Sequence, residues 1–211
     1  MDGAIQLRYE TDLTVEDYIT RKAWWDASAP ACPYHPQGGC RLVSHGTYGR
    51  KQPEGVRVRR FLCRRSGRTV SLLPDCLASY LPGTLAQVQA VERAAAQARS
   101  LEAAANQLRP SGCSLVSAVR WVRRRVQRVR LCLQLLTTLL PDRFGGVEPT
   151  TTAFAAVLGH DEVLTRLRAV AAEHLHSLPT PVGFRRQEFD RPVRKGGWQH
   201  RTGLDPPAVA A

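Results

Sequence analysis

The spacing of apolar residues changes at about residue 84. Before it, Val56, Val58 and Phe61 stand among Arg57, Arg59 and Arg60, close to the alternation of a half-buried strand. Gln52-Pro53-Glu54-Gly55 supplies the turn ahead of that strand. After it, the period lengthens to three and four. Thr84-Leu85-Ala86-Gln87 fits a capping box, with Val88, Val91 and Ala95 on one face of a first helix. Ser100 caps a short second helix with Leu101, Ala104, Ala105 and Leu108 inward, which stops at Arg109-Pro110. Ser114 caps a long third helix over residues 114–140, ending at Pro141 and spanning roughly 40 Å at ~1.5 Å per residue. Leu115, Val119, Val122, Val126, Val129, Leu133, Leu136 and Leu140 define its apolar face, while Arg120, Arg124 and Arg128 form a stripe on another. Residues 142–151 are expected to be a loop. A further amphipathic stretch over 152–178 breaks at Gly159-His160, with Asp161 capping its second half.

These textures divide the chain into four parts. Residues 1–30 form an acidic lead-in with a short helix capped by Thr14, and with Trp24 and Trp25 as packing anchors. Residues 31–82, rich in Cys, Gly and Pro, form a small β module. Residues 83–178 form a helical bundle. Residues 179–211 carry no periodicity and are expected to be a basic, disordered tail. The expected fold class is mainly α with a small, zinc-ribbon-like β module and a helix-turn-helix within the bundle.

Charge sharpens the picture. The 211 residues hold 30 Lys and Arg against 18 Asp and Glu, for a net charge of +12. Residues 41–70 carry nine of the bases and one acid, Glu54, while residues 109–130 carry seven arginines and no acid. Compositional bias would explain why Lys stands only at positions 22, 51 and 195. It does not explain acids missing from just these two blocks. Focused positive surface favours a polyanion, most often nucleic acid.

Six residues with metal-ligand chemistry, Cys32, His35, Cys40, His45, Cys63 and Cys76, fall within 45 positions. Cys32-Pro-Tyr-His35 has the two-residue gap of a zinc knuckle. A ribbon needs a second knuckle on the facing hairpin, and Cys63-Arg-Arg-Ser66 stands there with a poor ligand at Ser66. The four-ligand set is therefore Cys32, His35, Cys40 and Cys63, with His45 and Cys76 as substitutes and zinc as the cofactor. A ribbon held by packing alone is the alternative. Cys132 reads as a small buried hydrophobe.

The short helix, Gly-containing break and capped, Arg-bearing helix also suit a helix-turn-helix whose second helix enters the major groove. Ser114, Ser117, Arg120 and Arg124 are placed to reach bases or phosphates. Arg123, Arg125 and Arg128 lie further along and suit phosphates, as do Arg57, Arg59 and Arg60 in the β module. The connector is longer than the ~3–4 residues of the standard motif. The apolar stripe of the third helix could equally serve a bundle or a dimer interface.

Cys32-Pro-Tyr-His-Pro-Gln-Gly-Gly-Cys40, the HGTYGRK run from His45 and SLLPDCLA from Ser71 resemble the zinc-ribbon region of uncharacterised, transposase-like bacterial proteins. Residues 100–125, with SLEAAANQLRP and SAVRWVRRRV, are similar to the helix-turn-helix that follows in them. The resemblance covers about 31–144. It implies Cys32, His35, Cys40 and Cys63 as metal ligands, residues 114–128 as the reader of duplex DNA, and association with a mobile element. It extends to the short first reading frame of some insertion elements, whose product binds the element's ends.

Duplex DNA is thus the expected partner, with a transposase subunit or self-association beside it. The competing readings are a non-enzymatic adaptor binding RNA or a catalytic partner, and a complete transposase. Metal-dependent nucleases need several converging carboxylates, and the acids after residue 70 form no recognisable set. Walker, dinucleotide, GxSxG and HExxH signatures are missing from the sequence. No window approaches the ~18 apolar residues of a membrane span, and the start lacks a secretory pattern. A cytoplasmic, nucleoid-associated protein is expected.

Overall fold

The computed structural model describes residues 5–109 and 111–185. Among them four strands form one sheet in the order β1-β4-β3-β2: β1 (Ile5–Tyr9), β2 (Leu42–Gly49), β3 (Arg57–Cys63) and β4 (Arg68–Pro74). The strand read from Val56, Val58 and Phe61 is β3, with Val58 and Phe61 buried on opposite faces. β2 and β3 pair in antiparallel register, Leu42 opposite Cys63 and Tyr48 opposite Val58, with a bulge between Ser44 and Thr47. Gly67, at a φ of +66°, closes the tight β3–β4 turn in a conformation that favours glycine.

The N-terminal segment departs from the expected lead-in. β1 adds to β4 as a parallel edge strand, Leu7 opposite Leu72. Helix α1 (Val15–Thr20), capped by Thr14, then packs Tyr18 against Trp24, Val56, Val58 and Leu73. Four strands in place of a small β module make the fold mixed α/β. Trp24 is an anchor, as expected. Trp25, in the 3-10 turn Ala23–Trp25, is instead 55% exposed.

Beyond the sheet the apolar periodicity reports the helices closely. Helix α2 (Leu85–Gln97) starts at Thr84 with both bonds of the capping box: Gln87 N–H donates to Thr84 Oγ1 at 2.9 Å, and Thr84 N–H to Gln87 Oε1 at 3.0 Å. Helix α3 (Leu101–Leu108) and helix α4 (Leu115–Leu139) carry the expected caps, Ser100 and Ser114. The inward face of α4 is rotated slightly from the expected one. Ala118 is buried, Val119 is half-buried and Leu115 is exposed, because α3 packs Ala105 closely on Ala118 and small residues set that distance.

The expected loop after Pro141 begins with helix α5 (Pro141–Phe144), which seats Phe144 on Phe154 with ring centroids 4.8 Å apart. The last amphipathic stretch is broken at Gly159 into α6 (Thr151–Leu158) and α7 (Val163–Val170). Glu162, without a side-chain bond, is the cap residue of α7 in place of Asp161.

Sheet and helices are locked together at Arg168 of α7. Its guanidinium is fully buried and donates to the carbonyl oxygens of Pro74, Asp75, Leu77, Pro181 and Val182 at 2.7–3.3 Å. Burial lowers its pKa to about 10. Asp75 in turn takes both Nε and Nη2 of Arg8 on β1, so a polar chain runs from the edge strand to α7. This arrangement corrects the start of the tail: Thr180, Pro181 and Val182 are buried, with Val182 in the helical core. The remainder of the expected tail, residues 186–211, lies outside the described residues.

Candidate metal centre and arginine face

Cys32 and His35 sit on a turn in which His35 N–H donates to Cys32 O and Gly38 N–H to His35 O. Gly38 and Gly39, with φ of +88° and +73°, bend the chain so that Cys40 arrives beside the start of β2. Register does the rest: Leu42 pairs with Cys63, which brings Cys40 against the last residue of β3. Tyr34 OH donates to Thr69 O at 3.0 Å and ties the turn to β4.

The four expected ligands converge. Their ligand atoms all lie within 4.8 Å of one another, and the group could hold a metal ion. Cys32 Sγ is 3.5 Å from His35 Nδ1, Cys63 Sγ is 3.4 Å from His35 Nδ1, and Cys40 Sγ is 3.3 Å from Cys63 Sγ. Ligand atoms around a tetrahedral ion with metal–sulfur bonds of ~2.3 Å stand roughly 3.5–3.8 Å apart, so these three pairs would open slightly and the longer ones, up to 4.8 Å, would close around an ion. All three cysteines are free thiols. Cys32 and Cys63 are buried, while His35 and Cys40 are half-exposed.

Local polarity favours a thiolate here. Burial opposes ionisation of Cys63, but hydrogen bonds from Ser66, Cys40 and Cys32 outweigh it and bring the pKa down to about 6. Cys40 is pushed up to about 12, chiefly by its thiol bond to Cys63, with burial adding. Ser66, standing where a ribbon would place a ligand, offers its backbone N–H to Cys63 Sγ at 3.4 Å. The second knuckle thus keeps its amide support and takes its second sulfur from Cys40. The substitute ligands lie elsewhere. His45 is exposed in the β2 bulge, and Cys76 packs at the Tyr18 cluster, where burial raises its pKa to about 11.

The other predicted site residues separate into two groups. On α4, Ser114, Ser117, Arg120, Arg123 and Arg124 are exposed, and the last four line an open groove of about 400 Å³. Ser114 accepts from Ser117 N–H as the helix cap, and its Oγ donates to Ser117 Oγ at 2.9 Å. Arg128 is half-buried. Arg125 is not on this face. It is 7% exposed, lies 4.0 Å from the Trp121 ring centroid and donates to Pro82 O, fastening α4 to the start of α2; burial lowers its pKa to about 10.

On the sheet, Arg57 is exposed and bonds Thr47 Oγ1 at 2.8 Å. Arg60 lies over Tyr48 and donates to Thr69 Oγ1. Arg59 is sandwiched between Trp25 and Phe61, at 4.6 and 5.5 Å from their ring centroids.

Sequence reasoning missed Val116, 66% exposed one residue inside α4 beside the arginines, because an apolar residue in a helical pattern reads as core. It missed Arg168 for the converse reason, that arginine reads as surface. No family model, curated protein or solved structure matches the chain. Among the described residues no helix is long and apolar enough to cross a membrane.

Proposed function

We propose that the protein binds duplex DNA through α4, on a scaffold whose sheet module is held by zinc. The observation that carries this reading is the solvent face of α4, where Arg120, Arg123 and Arg124 line one groove beside exposed Ser117 and Val116. The segment 109–130 has no acid to neutralise them. Helices α2, α3 and α4 share one apolar cluster of Val91, Ala105, Ala118, Val122 and Val126, which supports reading α3 and α4 as a helix-turn-helix with a long connector. Arginine forks suit guanine edges and phosphates, and Val116 suits a thymine methyl.

Three sulfurs and one imidazole gathered within 4.8 Å of one another are a donor set that suits zinc. Three thiolates around a divalent ion leave a net charge of about −1, which the neighbouring Arg64, Arg65 and Arg68 offset. Zinc here is structural and leaves the arginine face to the helices. The resemblance to transposase-like proteins supports a target at the ends of a mobile element, with a catalytic transposase subunit as a partner.

Fluorescence anisotropy on matched and scrambled duplexes across salt tests the reading. Arg120→Ala is expected to erase the preference for the matched site, a loss of about 1–3 kcal/mol of discrimination. Arg57→Ala is expected to weaken both duplexes alike and reduce the salt slope by about one phosphate unit. Binding by the wild-type chain that is equal on both duplexes and vanishes with salt would sink the sequence-reading role.

A further inference from the structure

Trp25 is the one aromatic among the large apolar side chains left exposed by the described residues. Its neighbour Trp24 is buried in the Tyr18 cluster and anchors the 3-10 turn, so the exposed ring is held on a fixed support. Arg59 covers one side of the ring and rests on Phe61. Its Nε and Nη1 are shielded from water and have no hydrogen-bond partner. No hydrogen bond or ion pair joins Arg59 to a described residue, although Asp26 follows Trp25 directly. A half-buried cation with two idle donors beside an exposed indole is an expensive arrangement for a surface with only structural duties.

One ligand chemistry suits this pair. An unpaired nucleobase stacks on the open face of an indole regardless of its identity, and its own phosphate can approach the guanidinium at Nη2, the one of its three nitrogens not sealed from water. A base inside a duplex cannot do so, since its faces are already stacked. The surroundings agree in sign, because exposed Arg57 lies two residues along β3 and residues 41–70 hold one acid against nine bases. We infer that Trp25 and Arg59 form a stacking site for single-stranded nucleic acid, separate from the duplex-binding face of α4. The site stands independently of the duplex reading. In a chain with both, strand separation near the duplex site would feed this one.

The test uses the full zinc-loaded chain and a fluorescein-labelled oligo(dT) of twelve nucleotides, with an abasic phosphate chain of the same length as control. Trp25→Ala is expected to weaken oligo(dT) binding about tenfold, the scale of one lost stacked base, while abasic-chain and duplex binding stay unchanged. Trp25→Phe, which keeps a ring, is expected to retain most of the affinity. Because Trp25 is exposed, both variants should melt like the wild type. Oligo(dT) binding unchanged in Trp25→Ala, or lost in equal measure with the abasic chain, would overturn the proposal. So would a failure of Trp25→Phe to rescue.

Discussion

Beneath the ligand cluster the apolar core is thin, with Phe61, Val70 and Leu72 as its main members, and two of the four ligands are half-exposed. In the helical half, Val129, Leu133, Leu136, Phe144, Phe154, Leu164 and Leu167 are all fully buried in one continuous cluster. The Tyr18 cluster covers the other face of the sheet, but the ligand side is rich in turns and Arg, so it has little apolar area to remove from water and its order depends on a few residues of special chemistry. The helices draw on area, spread over many interchangeable positions. A few exact identities therefore matter greatly in one region, and total apolar volume matters in the other.

The widest separation between the two is expected from Cys63→Ser. Losing one of four ligands should abolish tight metal binding, worth about 10 kcal/mol or more where the metal is zinc in small zinc-dependent folds, and collapse the order of the ligand side of the module. Metal content measured after dialysis should fall to background, while the far-UV helical signal from α2, α4 and α7 persists. Simultaneous loss of both would show that the helices depend on the knuckle.

Arg168→Met attacks the seam between the regions. It strands five buried carbonyl oxygens and should cost about 3–5 kcal/mol, read as a lower urea midpoint shared by the helical and aromatic signals. Leu133→Ala, in the helical core, is expected to cost about 2–5 kcal/mol through the cavity it leaves, without changing metal stoichiometry. A change in stoichiometry would mean that packing reaches across the seam to the ligands. The smallest effect is expected from Thr84→Ala, about 1 kcal/mol from loss of one cap. It should speed amide exchange at the start of α2 and leave metal binding and the arginine face alone.

Local rules were sufficient over much of the chain. Caps at Thr84, Ser100 and Ser114, the stop after Leu108 and the break at Gly159 each rest on bonds within a few residues, so their signals lie side by side in the sequence. The ligand set was legible too, because knuckle spacing put Cys32, His35, Cys40 and Cys63 first, with His45 and Cys76 kept as substitutes. The reason Cys40 completes the set was not legible. It depends on the β2–β3 register, which joins residues 21 positions apart in the pair Leu42 and Cys63.

The sequence by itself determined helices α2, α3 and α4 with their caps and the candidate ligands, since each follows from periodicity or spacing that acts over a turn or two. Only the tertiary structure decided that residues 5–9 form the fourth strand, because a parallel edge strand takes its partners from β4, some 65 positions away. It also decided which arginines face water. Arg120 and Arg125 have the same chemistry and lie on one helix, yet one lines an open groove and the other is sealed against Trp121 and Pro82. Arginine's long apolar stem and permanent charge suit either place, and what chose between them was the segment ahead of α2, whose Pro82 carbonyl meets Arg125 on that side of α4.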